Sequence, residues 1–198
     1  MRKTLPLIVA VATFLLLGCD GDISLIPDAE KPGKKDSVTT YVIPAGAHYS
    51  SQSAFQQLDV TSIRFSARFN NSAMYQTVDK ENQGDINKLY GISDCNTAHQ
   101  VNSARFGWRW YNNVLEIWAY TYNEGTSKYT FVSKVPLNTY STYEIGFTDN
   151  AYTFQVNGGA RVSLPRHCAQ QAHGYKLYPY FGGDETAPHE ITIEIKDL

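Results

Sequence analysis

Seventeen Lys and Arg stand against nineteen Asp and Glu, a formal charge of −2. The chain therefore lacks the basic excess with which nucleic-acid binders neutralise phosphates. It also lacks a second long hydrophobic run, since nothing beyond residue 17 approaches the roughly 20 apolar residues of a membrane-spanning helix. Helical periodicity is missing from the body of the sequence, and no internal repeat of fixed period is present. Gly-x-Ser-x-Gly, a phosphate-binding loop, the dinucleotide fingerprint and His-Glu-x-x-His are absent. Their absence removes the enzyme classes recognisable from one local motif. Cysteine is scarce, three residues with no CxxC pair, which argues against zinc. Three is also odd, and in an oxidising compartment the odd residue needs an explanation. Aromatic residues, by contrast, are plentiful: 13% of 198 residues, including 14 Tyr. With so small a net charge, that content excludes a disordered chain and fits one globular domain with a short appendage.

Arg2 and Lys3 precede an apolar run from Leu5 to Leu17, broken only by Pro6 and Thr13. That length suits the hydrophobic region of a signal peptide better than a membrane span. The run ends in Leu16-Leu17-Gly18-Cys19, which resembles the lipobox of bacterial lipoproteins. The resemblance implies cleavage before Cys19 and lipid attachment to it; the alternative is an ordinary secretory signal with an incidental Cys. Each buried acyl CH₂ contributes about 0.8 kcal/mol, so several chains on Cys19 would anchor the protein permanently. Cleavage leaves residues 19–198 and removes Arg2 and Lys3, so that 15 basic residues face 19 acids, a charge of −4. An acidic surface is not drawn to anionic headgroups, so the anchor alone would hold the protein at the bilayer. The expected location is the bacterial cell envelope, most simply the outer membrane. Asp20-Gly21-Asp22 resembles the acidic sorting or export signals of some bacterial lipoproteins.

Three segments are expected: a signal peptide over 1–18, a lipidated N-terminus and flexible tether over 19–37, and a β-domain over 38–198. Gly21, Pro27, Pro32 and Gly33 break the tether, which carries the charged stretch Lys31 to Asp36. Beyond it Ile63–Phe69, Tyr143–Thr148, Tyr152–Val156 and Ile191–Ile195 alternate apolar and polar with period two. Asn-Asn, Asp-Asn and Asn-Gly-Gly punctuate such runs with residues that tolerate positive φ. Ala73 to Lys88 is polar and irregular, and reads as a long loop with one helical turn. Many short strands without helices predict an all-β antiparallel sandwich or barrel.

One hairpin is specified residue by residue. Arg105–Tyr111 runs into Asn112-Asn113 and then Val114–Tyr120. A two-residue turn pairs Tyr111 with Val114, so Trp110 faces Leu115, Trp108 faces Ile117 and Phe106 faces Ala119 on an apolar core face. The other face sets Arg109 against Glu116, Gly107 against Trp118 and Arg105 against Tyr120. Large aromatics on a nominal solvent face imply a ligand, a partner or a covering loop. With Cys19 assigned to lipid, Cys95 and Cys168 form an even pair, either disulfide-bonded or free. His99 and His167 lie near them, but the adjacent His167-Cys168 is poorly disposed for metal ligation, and no metal site is expected.

The second cluster is Gly174 to Gly183. Lys176, Tyr178 and Tyr180 alternate onto one face, with Tyr175, Leu177, Pro179 and Phe181 on the other, and Pro179 inside a strand implies an edge position or a bulge. Brought onto one sheet, Arg105, Arg109, Glu116, Trp118, Tyr120, Lys176, Tyr178 and Tyr180 would form an aromatic, polar-studded groove suited to sugars. The bland alternative is that the 73–88 loop covers these aromatics. Asp184-Glu185 sits in a turn, where solvation or a structural Ca²⁺ is the simpler account; no other cofactor is expected.

Together the strand pattern, Phe154-Gln155-Val156-Asn157-Gly158 and Gly174 to Gly183 resemble the concanavalin-like jelly-roll families. These are laminin-G-like domains, carbohydrate-binding modules and jelly-roll polysaccharide lyases. The chain is also similar to uncharacterised bacterial surface lipoproteins. The resemblance implies a glycan or another extracellular ligand on a concave sheet, with an envelope protein as the alternative partner. The lyase alternative would use His99 or Tyr178 as base, with Arg109 and Gln100 neutralising the substrate carboxylate. The motifs depart from the lyases at decisive places: His99-Gln100 reverses the order of their Gln-x-His. No pair of acids has the spacing of a retaining glycosidase, so the reading leans away from an enzyme.

Overall fold

The computed structural model describes residues 37–168 and 171–198. The signal peptide, the lipobox with Cys19 and nearly all of the tether lie outside the described residues. Among the described residues no helix is long and apolar enough to cross a membrane.

Among the described residues twelve strands form two antiparallel six-stranded sheets. The first sheet runs in the order β1 (Thr39–Ile43), β12 (Ile191–Asp197), β3 (Ser62–Phe69), β8 (Ser141–Phe147), β9 (Ala151–Val156), β10 (Val162–Pro165). The second runs β2 (Gln57–Val60), β11 (Ala172–Leu177), β4 (Asn87–Ser93), β5 (Ser103–Tyr111), β6 (Val114–Asn123), β7 (Thr126–Val135). Helical structure among the described residues is confined to two 3₁₀ turns, Asn71–Ala73 and Lys80–Gly84. The domain is an all-β, concanavalin-like jelly-roll sandwich.

Alternation of side chains decides what each face does. The inner faces meet in an aromatic core: Phe106 of the second sheet stands 5.1 Å from Tyr143 and 5.2 Å from Phe154 of the first, ring centre to ring centre. Trp108, fully buried, lies 5.2 Å from Phe69. The β5–β6 hairpin has the register its turn requires, Tyr111 with Val114 through Arg105 with Tyr120. Asn112 and Asn113 both take positive φ, 51° and 59°, so the twist of a two-residue turn matches that of its strands.

One irregularity prepares the outer face of the second sheet. Pairing of β4 with β5 slips between Lys88 and Gly91, so both Leu89 and Tyr90 are buried in the core. At Gly91, opposite Arg105, a Cβ would lie 2.1 Å from the Ala104 carbonyl oxygen. Only glycine permits that approach.

At the end of the sandwich Asp94 and Arg166 form a fully buried ion pair, Nε to Oδ2 2.8 Å. The Tyr152 hydroxyl donates to the same Asp94 oxygen. Beside this pair Cys95 is disulfide-bonded to Cys168, with Cα atoms 5.8 Å apart.

Candidate ligand groove

The outer face of the second sheet carries a groove of about 570 Å³. Its floor consists of Lys88 on β4, Arg105 on β5, Tyr120 and Tyr122 on β6 and Tyr175 on β11. One wall is the chain before β2, which brings Tyr49, Ser50, Ser53 and Phe55; the β4–β5 loop adds His99 and Gln100. Tyr180, Gly182 and Gly183 close another side. Tyr49 and Phe55 are 71% and 76% exposed. Side chains so apolar are usually covered, so these two form an open aromatic rim.

Arg105 lies at the centre of the floor, 8% exposed. Burial pulls its guanidinium down to about 10, opposed by Tyr120, Tyr122, Tyr175 and Tyr180. It remains a cation at neutral pH. Lys88 lies 4.1 Å over the Tyr120 ring and donates to the Ile86 carbonyl. Burial first, then the neighbouring Arg105 charge, lowers it to about 7, with Asp85 opposing. The groove-lining residues include no carboxylate.

Tyr175 and His99 are held together by one oxygen. The Tyr175 hydroxyl accepts the His99 backbone N–H at 3.1 Å and lies 3.0 Å from His99 Nδ1. With that acceptor position filled, the phenol is placed to donate its proton to Nδ1. Burial, with Arg105 adding to it, lowers His99 and favours the neutral ring. Tyr180 stacks on His48 at 5.2 Å and meets the edge of Tyr49 at 5.0 Å.

Several candidate residues are placed differently from the sequence expectation. Arg109 and Glu116 form a mostly buried ion pair, Nε to Oε2 2.7 Å. The guanidinium also donates to the Gly84 carbonyl and lies between the rings of Tyr111 and Trp118, 4.5 and 4.4 Å away. Trp118 Nε1 donates to Glu116. This closed cluster is set apart from the groove floor; Arg109 borders a smaller recess of about 260 Å³, which shares Lys88, Tyr120 and Gly183 with the groove.

Lys176 and Tyr178 line the groove, but their polar ends are engaged by other parts of the chain. The Lys176 ammonium lies 3.0 Å from Asp197 and over the Tyr90 ring. Tyr178 packs against Tyr41 and Tyr90 and donates to the Ala54 carbonyl. The ladder breaks at Pro179, which has no N–H to donate. β11 ends at Leu177, the chain re-pairs through isolated bridges of Tyr180 with Tyr49 and Lys88, and the alternation changes phase. On β11 the residue facing the groove is therefore Tyr175, which the assumption of a regular strand assigned to the opposite face. Arg105, Tyr120 and Tyr180 do converge on the groove, as do His99 and Gln100.

The 73–88 loop does not fill the groove; its only lining residue is Lys88. It is held aside by Glu185, whose carboxylate accepts from Val78 N, Asp79 N and Asn82 Nδ2 at 2.7–2.9 Å. The N-cap of the following 3₁₀ turn is Asp79, whose side chain accepts from Glu81 N, and Glu185 holds the residues around that cap. Among the described residues the one grouping of three metal-ligand types is Asp94, Cys95 and Cys168, two of which are joined in the disulfide.

The sequence matches no family model and no curated protein. Solved structures match the fold. An alginate lyase, AlyC3, superposes with a TM-score of 0.52 at 12% identity, covering 82% of this chain and 74% of its own. A non-specific endo-β-1,3(4)-glucanase of family GH16 gives 0.51 at 10% identity, over 81% and 69%. A GH16 protein of the Bacteroides ovatus mixed-linkage glucan system, solved with bound product, gives 0.50 at 11%, over 91% and 84%. At such identities the likeness is one of fold.

Proposed function

We propose that this domain binds a glycan chain in the groove of the second sheet, held at a bacterial envelope by lipid on Cys19. The carrying observation is the composition of the groove. Tyr49, Phe55, Tyr120 and Tyr180 offer ring faces or edges at its rim and floor, interleaved with the polar ends of Arg105, Lys88, His99 and Gln100. Aromatic rings stack on the apolar face of a pyranose while charged and amide groups bond its hydroxyls. The alginate lyase and the glucanase that share the fold are named for glycans, which agrees with this reading.

A glycan array tests it with wild type, Tyr180→Ala and Trp118→Ala. Tyr180→Ala is expected to lose at least tenfold in affinity for every hit, and Trp118→Ala to keep it within about threefold; each lost aromatic contact is worth on the order of 1 kcal/mol. Equal binding by Tyr180→Ala, or a stoichiometric envelope protein recovered in place of any glycan, contradicts it. Membrane release of a Cys19→Ser variant tests the anchor.

A second reading, polysaccharide lyase, is favoured by the Tyr175–His99 contact beside Arg105. A lyase needs a base near an acidic C–H and a cation on the adjacent carboxylate. On this reading Tyr175 and Arg105 would take the roles expected of Tyr178 and Arg109. Ultraviolet absorbance of unsaturated product from uronate polymers would reveal the activity; its absence across polymers removes this reading.

A further inference from the structure

Among the described residues Arg105 has no carboxylate partner. Among the described residues its guanidinium makes no hydrogen bond or ion pair, and its Nε is a buried donor without an acceptor. Every other Arg that lies buried or half-buried in the sandwich is paired: Arg166 with Asp94, Arg109 with Glu116 and Arg68 with Glu194. Leaving a buried cation unpaired is among the costliest arrangements in a folded protein, and such groups persist chiefly where a ligand completes them. The second buried orphan in the groove is Ser50 Oγ, a hydroxyl on the facing wall. Lys88 places a further nitrogen on the same floor. An anion would satisfy the guanidinium and meet no like charge in the groove.

We propose that the glycan is acidic, and that one of its carboxylate or sulfate groups docks on the Arg105 guanidinium. The inference rests on the glycan reading of this groove and gives it a substrate class. The planar guanidinium presents paired donors that match the two oxygens of either group, while the surrounding tyrosine rings take the sugar. Tyr120, Tyr175 and Tyr180 exclude water around the contact, which strengthens it. The arrangement also explains why the protein retains so expensive a residue at a position flanked by tyrosines.

The test compares a galacturonate oligomer, its methyl ester, a sulfated galactan oligomer and a neutral cello-oligosaccharide by calorimetry on the whole lipid-free domain. Wild type is expected to bind one or both acidic oligomers at least tenfold more tightly than the ester and the neutral chain. A preference between the acids identifies carboxylate or sulfate as the natural group. Arg105→Met is expected to lose that preference and, freed of an unpaired buried charge, to unfold at a higher temperature than wild type without ligand. Where Arg105→Met fails to fold, the acid-against-ester comparison on wild type decides. Neutral and acidic chains bound equally by wild type overturn the inference but leave the glycan reading intact. Inorganic sulfate that raises the melting temperature of wild type but not of Arg105→Met, with no oligomer bound, supports the anion site and sinks the glycan reading. If neither oligomers nor sulfate distinguish wild type from Arg105→Met, the anion site is overturned.

Discussion

Tyr175 on β11 reaches across β4 to hold His99, a residue 76 positions away, by its backbone and its ring at once. The contact pins the β4–β5 loop to the edge of the groove and fixes a neutral imidazole against a phenol. Tyr175→Phe removes both hydrogen bonds and leaves the ring. We expect a loss of about 1–2 kcal/mol and a fall in melting temperature of roughly 2–8 °C for a domain of this size. An unchanged melting temperature and unchanged His99 amide exchange would show that the contact holds nothing.

Asp94 and Arg166 are both fully buried and paired, and Asp94 also accepts from Tyr152 and from the Cys95 and His173 amides. Arg166→Met leaves that carboxylate without its cation. The expected cost is about 3–5 kcal/mol, read as a lower urea midpoint at unchanged slope. The effect should be far larger than that of Arg64→Met, whose partner Glu144 is half-exposed.

The Cys95–Cys168 bond closes a loop of 73 residues. By the chain-entropy estimate it stabilises the domain by about 4 kcal/mol. Denaturant unfolding with and without reductant measures this, and the Cys95→Ala, Cys168→Ala double variant should match the reduced protein.

Lys88 gives a pH dependence of definite sign. Its neighbours are Tyr120 on β6, Arg105 on β5, and Asp85 and the Ile86 carbonyl from the turn before β4. In the folded state it sits at about 7, against 10.5 for an ordinary lysine. Between those values the unfolded chain binds the extra proton, so this group's penalty on stability is largest below pH 7 and fades as pH rises toward 10.5. Lys88→Met should therefore be more stable than wild type at pH 6.5, by a margin that shrinks at pH 9. A margin independent of pH contradicts the assignment. In wild type, affinity for an acidic glycan should fall as pH rises through 7.

Much of this was legible in the sequence where the determinants are local. Asn112-Asn113 set the register of a hairpin from Tyr111 with Val114 to Arg105 with Tyr120, seven residue pairs, because a two-residue turn with both φ positive admits one register. Arg105 and Tyr120 could be named as groove residues from alternation alone; alternation groups Tyr180 with Lys176 and Tyr178 by a phase the strand does not keep. The errors lie where alternation is interrupted. Pro179 ends one ladder and Tyr180 begins another, so the phase carried from Lys176 does not survive to Tyr180. Lys88 ends the polar 73–88 stretch, which reads as loop, whereas it lies on β4 beside the bulge. Tyr49 and Phe55 sit in an irregular segment whose only signal is an exposed aromatic among polar residues. Arg109 and Glu116 were visible as a pair, but only the fold shows that Gly84, Tyr111 and Trp118 enclose them. That Arg105 lacks a partner among the described residues is a property of the whole groove and of no short stretch of sequence.

The most direct test of the central claim is the Arg105 Nε–H signal in a ¹H–¹⁵N NMR titration with the best-binding acidic oligosaccharide. The account predicts that this resonance shifts in a saturable manner, together with the amides of Lys88, Tyr120, Tyr175 and Tyr180. A saturable binding curve that leaves Arg105 unmoved, with the shifts on β9 and β10 of the opposite sheet or on the outer edge of β7, would contradict it.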